Sequence, residues 1–337
     1  MNSDITLTNE QFQALETILE FLDCPTKRLL TLSGVAGTGK TTLLQYLIRS
    51  VSETRSVAIT APTNKAVKVL REMAKGSQAR VNCSTTFSLF NLRVDRGNEI
   101  KAVNYENGRR VENISADSFQ FDTVIVDEAS MVSAGLYKYL MRFLDDHDRM
   151  RLTVERKPLK FIFVGDPLQL PPVHEDASLA FTTMDQLVTL ETVVRQALDN
   201  PIIRFTERIR QSIRTGEHLT ISTGANGTEK GVWAMKAQTW DRILDTSYLK
   251  SEYRKDQQCY RAIAYRNARV DHLNRRIRGL LYNNKTETPF VAGERVLAHL
   301  PVFDPINVDR MILPTDEEAV VTDISVRHHP IHRDVLC

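Results

Sequence analysis

Residues 34–41 read Gly34-Val35-Ala36-Gly37-Thr38-Gly39-Lys40-Thr41, a full G-x-x-x-x-G-K-[ST] string. Residue types at this spacing make a phosphate cradle. Glycines let backbone N–H groups turn onto phosphate oxygens, a lysine reaches the β- and γ-phosphates, and a hydroxyl is placed for Mg²⁺. Lys40 and Thr41 fill the last two roles, and the cradle extends to Thr42. Leu29-Leu30-Thr31-Leu32 before it reads as a short apolar strand, and Thr42 to Ile48 has helical spacing. A helix opening there aims its positive end at the phosphates. The implied ligand is a nucleoside triphosphate with Mg²⁺.

Two further strings supply what hydrolysis of that ligand needs. Val124-Ile125-Val126-Asp127-Glu128 puts two carboxylates at the end of an apolar run. Asp127 suits the metal and Glu128 suits a base that orients and deprotonates water, in a reaction governed by positioning and charge stabilisation. Gly165-Asp166-Pro167-Leu168-Gln169-Leu170-Pro171-Pro172 follows a second apolar run and holds a polar Gln169 between two leucines. A glutamine beside the γ-phosphate can sense ATP and steer water.

The elements that must position these residues alternate. Thr8-Asn9-Glu10-Gln11 reads as a capping box opening a helix whose apolar face carries Phe12, Leu15, Ile18, Leu19 and Leu22. Strands are expected at 29–33, 56–60, 123–126 and 159–164, with helices to about Ser50 and from Lys65 to Ala74. Strands alternating with helices make a parallel sheet with crossovers, and ligands then sit at the carboxyl ends of the strands. Across Asn107-Gly108, two β-capable runs predict a hairpin over 99–114, inside a polar insertion at about 93–121. Beyond it, a second α/β unit is expected: a helix face of Ile202, Phe205, Ile209 and Ile213, a strand at 260–265, and a basic helix from Ala268 to Leu281 with Val270, Leu273, Ile277 and Leu281 inward. Later strands are expected at 295–300 and 318–324.

Composition narrows the class. Hydrophobic residues make up 42% and charged residues 26%, ordinary for a globular chain of about two domains. The four cysteines are scattered without C-x-x-C spacing, which points away from zinc and disulfide scaffolds toward a reducing compartment, the cytoplasm. No apolar run approaches the length of a membrane span. Net charge is +2, yet residues 201–281 hold 16 Lys and Arg against 8 Asp and Glu. Such a surplus suits either a phosphate backbone or a solvated helical surface. Arg327-His328-His329-Pro330-Ile331-His332 lacks the carboxylate or cysteine spacing of a metal site.

Taken in order, these strings resemble the superfamily-one DNA helicases of the RecD/Dda-like class. Thr8–Gln11 resembles the adenine-reading glutamine motif, with Gln11 its counterpart, though a capping box also wants glutamine there. Ala61-Pro62-Thr63-Asn64-Lys65-Ala66 and Ser84-Thr85-Thr86-Phe87-Ser88-Leu89 resemble two single-stranded-DNA contact motifs, which implies DNA contacts at Pro62, Thr63, Asn64, Lys65, Thr85 and Phe87. Phe87 replaces the family's histidine and suits either base stacking or the core. Glu191-Thr192-Val193-Val194-Arg195-Gln196 resembles the motif whose arginine reaches the γ-phosphate, implying that role for Arg195. The hairpin takes the place of the strand-separating pin, and Ala264 to Asn274 resembles the start of the second motor domain.

The resemblance implies an ATP- and Mg²⁺-dependent helicase, a monomer of P-loop α/β architecture working 5′→3′ on single-stranded DNA at a fork. It implies a first RecA-like domain over 1–195, the start of a second over 196–300, and the start of an inserted small β-barrel over 301–337. The family's last two motifs have no counterpart after Gln196. The reading is therefore of a truncated or split motor, completed by a C-terminal partner chain or working beside a single-stranded-DNA-binding protein, or else one that binds ATP and DNA without unwinding.

Overall fold

The computed structural model describes residues 6–51, 54–75, 81–94, 100–102, 104–106, 109–111, 119–151, 157–193, 200–221, 223–225, 231–282, 289–304, 307, 310–315 and 317–324. The chain forms two compact units, Met1–Leu219 and Thr220–Cys337. Helix Pro201–Thr215, expected in the second domain, falls within the first unit.

In the first unit α1 (Asn9–Asp23) leads to β1 (Leu29–Gly34), α2 (Lys40–Val51), β2 (Val57–Ala61), α3 (Asn64–Ala74), β3 (Val81–Thr85) and the short α4 (Thr86–Leu89). Four small strands follow: β4 (Leu92–Val94), β5 (Ile100–Ala102), β6 (Asn104–Glu106) and β7 (Arg109–Val111). Then come β8 (Thr123–Val126), α5 (Ala134–Arg151), β9 (Lys160–Gly165), β10 (Gln186–Leu190) and α6 (Pro201–Thr215). Six strands form one sheet in the order β10-β1-β9-β8-β2-β3, every pair parallel. The hairpin expected over 99–114 is described as the shorter β6–β7, with Glu106 opposite Arg109, while Ile100–Ala102 of its first run forms β5 and pairs instead with β4.

The inner strands are apolar on both faces because both faces are covered. One face packs Leu30, Leu32, Ile125, Ile162 and Val164 against α1, α2 and α3. The other packs Val124, Val126, Phe161 and Phe163 against α5 and against Phe90 and Phe119. Lys160 is the exception. Its buried ammonium donates to the carbonyls of Phe21, Cys24 and Lys27, so it ties the end of α1 to the sheet. Burial lowers its pKa to about 8.

Of the six-stranded sheet and the long helices packed on it, three elements lie outside the expectations. β3 and β10 are the sheet's two edges, buried on one side at most, and their polar residues (Asn82, Ser84, Gln186, Thr189) hide the strand signal. The third, α5, buries Leu136, Tyr137, Leu140, Phe143 and Leu144 at helical spacing.

The second unit holds β11 (Gly224–Ala225), β12 (Gly231–Val232), α7 (Ala237–Tyr248), α8 (Ser251–Lys255), α9 (Asn267–Leu281), β13 (Arg295–Leu297), β14 (Val302–Phe303), β15 (Met311–Leu313) and β16 (Glu318–Val320). Among the described residues its strands pair only as two-stranded ribbons, β11–β12, β13–β16 and β14–β15. The expected strand at 260–265 is not part of any sheet. Tyr260, Ala262 and Ala264 pack on the cluster of Leu244, Tyr248 and Leu273, while Ile263 and Tyr265 face outward at 90% and 94% exposure. Of the inward residues expected on α9, Leu273 alone is fully buried.

Candidate functional site

The cradle is built by where β1 stops and α2 starts. β1 ends at Gly34 and α2 opens at Lys40, directly after the loop. Gly37 and Gly39 have φ of +88° and +82°, a region that L side chains rarely enter. Gly34 is required for a different reason. A Cβ there would lie 2.8 Å from Thr38 Oγ1 and 3.1 Å from the Leu190 carbonyl of β10. Thr38 closes the turn, its N–H and hydroxyl both donating to the Val35 carbonyl. The Lys40 ammonium donates to the carbonyls of Gly34 at 2.6 Å and Val35 at 3.2 Å. Burial pulls its pKa down, against the opposing pull of Asp166, Asp127 and Glu128.

Gln11 reaches this loop from α1. Its Oε1 accepts the Thr8 N–H, completing the capping box, and its Nε2 donates to the Thr38 carbonyl at 2.9 Å. The side chain is 3% exposed. Gln11 thus caps α1 and ties it to the loop, a contact that the capping pattern alone did not reveal.

Asp127 follows β8, with its N–H bonded to the Thr60 carbonyl of β2. Burial, aided by the Glu128 charge, raises its pKa to about 6; Lys40 works the other way. Glu128 sits in the left-handed region, φ +53° and ψ +44°, and opens a short 3₁₀ turn at Ala129–Met131. Strained backbone of this kind clusters at functional sites. Gly165 lets the end of β9 lie against that turn: a Cβ would sit 3.0 Å from the Ala129 nitrogen and 3.1 Å from Phe181.

Asp166 comes next. Sheet register pairs Ser33 with Gly165, so Asp166 follows directly beside Gly34. Its side chain is 1% exposed and takes a two-pronged bond from Arg210 of α6, at 2.6 and 3.2 Å. Gln169 lies in the turn that Asp166 opens, donating its N–H to the Asp166 carbonyl, and its side chain is exposed. A cleft of about 240 Å³ runs past Gly34, Val35, Asp166 and Leu168 to Glu191 and Arg214.

Thr63 is the N-cap of α3 and Thr85 that of α4, so each hydroxyl accepts a backbone N–H. Pro62 and Asn64 are half-buried and Lys65 is exposed. Phe87 packs against the second core cluster, which accounts for its ring by the core reading. The structure brings the cradle, Asp127, Glu128, Asp166 and the Thr63 and Thr85 turns to the carboxyl edge of one sheet. Arg195 lies outside the described residues. Sequence reasoning missed Arg210, because nothing marks one arginine among many in a basic stretch. Asp166 stands in a legible string, but its partner on α6 is 44 residues away. Thr41 and Asp127 offer one hydroxyl and one carboxylate, a set that suits Mg²⁺ sharing its shell with phosphate and water.

A six-stranded parallel sheet, a glycine cradle opening a helix, and acids at neighbouring strand ends define a P-loop nucleoside-triphosphatase of RecA-like α/β fold. The chain belongs to the AAA domain family, whose model matches residues 6–228. Within it the chain is similar to superfamily-one helicases. It is 25% identical over 310 residues to the ATP-dependent DNA helicase dda of Enterobacteria phage T4, covering 90% of this chain and 63% of that protein. Against the RecBCD enzyme subunit RecD of Mycolicibacterium smegmatis the identity is 27% over 160 residues, 45% of this chain and 27% of that one. The chain thus spans under two thirds of these relatives' length. A structure of Pif1 helicases at forked double-stranded DNA shares the fold, with a TM-score of 0.52, 19% identity, and coverage of 98% of this chain and 75% of that one. Among the described residues, no helix is long and apolar enough to cross a membrane.

Proposed function

We propose that this chain carries the ATPase of a DNA helicase, coupling ATP hydrolysis to movement on single-stranded DNA and to duplex unwinding at a fork. The observation that carries the reading is the convergence of the cradle, Asp127–Glu128 and the Asp166 turn on one sheet edge. Residues 34–42 wrap the phosphates, and Lys40 exchanges its loop carbonyls for β- and γ-phosphate oxygens. Thr41 and Asp127 would hold Mg²⁺, which when bound neutralises charge between those phosphates. Glu128 accepts the proton of the attacking water, and Gln169 orients that water. Arg195 supplies positive charge to the γ-phosphate. Gln11 keeps one amide N–H beyond its two bonds, and reads adenine with it.

Pro62, Thr63, Asn64, Lys65 and Thr85 contact DNA mainly through phosphate and sugar, so binding is sequence-independent and salt-sensitive. Phe87 would add stacking only by leaving its packed position. Travel is 5′→3′ and the β6–β7 hairpin parts the strands, both by analogy with the family. The chain acts as a monomer in the cytoplasm of a bacterium or phage-infected host.

One observation favours a second reading. The outward Ile263 and Tyr265 of the second unit suit a motor that binds ATP and single-stranded DNA but unwinds only with a C-terminal partner chain. Steady-state ATPase with and without single-stranded DNA tests the first reading. Glu128→Gln should keep ATP binding and lose about 10²–10⁴ in turnover. Normal turnover in that variant removes Glu128 as the base, and unwinding by the purified chain alone removes the second reading.

A further inference from the structure

α6 turns a stripe of Glu207, Arg210 and Arg214 toward the mouth of the phosphate loop. Glu207 and Arg214 line the cleft beside Gly34 and Val35. Arg210 grips Asp166, with Nη2 2.6 Å from Oδ2 and Nη1 3.2 Å from Oδ1, and its Nε lies 3.6 Å from Glu207. The guanidinium is 13% exposed and the carboxylate 1%.

Two features give this pair a consequence beyond stability. Asp166 Oδ1 also accepts the Leu168 N–H at 3.0 Å, and the Asp166 carbonyl accepts the Gln169 N–H at 3.1 Å. The turn that carries Gln169 therefore hangs on Asp166 through both side chain and main chain. A buried carboxylate stays in place only while its charge is matched, and a planar two-pronged guanidinium fixes its orientation as well as its charge. Asp166 is also the first of the acids opposing the burial effect on Lys40, so the same carboxylate faces the phosphate lysine.

We propose that Arg210 is a positioning residue for Gln169. It locks the Asp166 carboxylate, which in turn holds the Pro167–Leu170 turn at the height of the phosphate loop. This rests on the reading of Gln169 as the water-steering residue; the order it confers on the turn does not. Lysine could match the charge of Asp166 but not its two-pronged geometry.

The test uses the full chain with Arg210→Gln and Arg210→Lys, and Lys40→Ala as the blank for hydrolysis. Amide hydrogen exchange at Leu168 and Gln169 should quicken about tenfold or more in Arg210→Gln while Leu43 and Leu44 of α2 keep their protection. Turnover should fall about tenfold or more with KM within about twofold, and Arg210→Lys should recover part of it. Unchanged exchange at Leu168 and Gln169 overturns the proposal, as does full turnover in Arg210→Gln. Wild-type turnover no higher than the Lys40→Ala blank sinks the hydrolytic reading instead, and the exchange result then decides the positioning alone.

Discussion

Among the described residues, twenty-three buried side chains on one face of the sheet and seventeen on the other hold the first unit, whereas the buried cluster of the second is Leu244, Tyr248 and Leu273. Trp240, Tyr253, Tyr260 and Ile277 pack around that small cluster, and ion pairs add to it. Arg276 of α9 bonds Asp245 of α7 at 2.8 and 2.7 Å and lies 3.1 Å from Asp241, and Arg278 lies 2.7 Å from Glu294. Part of the basic surplus of residues 201–281 is thus spent on internal pairs. Half-exposed ion pairs contribute about 0–1 kcal/mol each and are screened by salt, while a buried large apolar side chain contributes about 1.5–3 kcal/mol. The proposed chemistry sits on the unit with the deep core. Strand ends can hold Asp127, Glu128 and Asp166 against one another only because the strands beneath them are immobile.

Phe163→Ala probes that difference most strongly. Phe163 is fully buried, against the rings of Phe161 and Tyr137 at 6.0 and 5.7 Å. Its loss should cost about 3–5 kcal/mol. Both tryptophans, Trp233 and Trp240, lie in the second unit, so their fluorescence follows that unit alone. Denaturant titration should show the far-ultraviolet transition of the first unit moving in Phe163→Ala while the tryptophan transition stays in place. Movement of both together would mean that the units unfold as one.

Asp127→Asn should give a smaller effect of opposite sign. The fold disfavours the Asp127 carboxylate, raising its pKa to about 6 from an ordinary 3.8. The native state therefore holds this proton more tightly than the unfolded chain. Its contribution to stability falls as pH rises from about 4 to 6, and the cost is complete above 6. Asparagine carries no such charge. The variant should lose hydrolysis yet gain up to about 3 kcal/mol at pH 7–8, a gain that fades toward pH 4. Thermal melts across that range check it, and equal stabilisation at pH 4 and 8 would contradict the burial of the charge.

The contrast between the units also explains what the sequence made legible. The cradle, Asp127–Glu128 and the Gly165-Asp166 turn are local strings that each sit on one strand and one loop, so spacing exposes them. The inner strands show as continuous apolar runs for the same reason. The edges β3 and β10 are hidden because half of each faces outward; Leu187 of β10 is 54% exposed. The Gln11–Thr38 and Arg210–Asp166 bonds span 27 and 44 residues, and no local pattern encodes such meetings. Tyr260–Tyr265 misled for the converse reason. Its alternation is that of a half-buried strand, and the buried half is real, but a ladder needs neighbours that the run itself does not specify.

Ile263→Ser should have the smallest effect and say the most about the second unit. At 90% exposure the side chain has little burial to lose, and substitutions at such positions usually shift stability within about 0.5 kcal/mol. Its neighbours Ala262 and Ala264 keep their packing on the Leu244, Tyr248 and Leu273 cluster, so the backbone has no reason to move. The tryptophan transition should therefore hold its midpoint. A loss of about 2 kcal/mol or more would mean that Ile263 is covered in solution, since only a buried isoleucine carries a transfer term of that size. Dilution of the protein would then separate the sources of the cover: a midpoint that falls with concentration belongs to a second copy, and one that does not belongs to the chain itself.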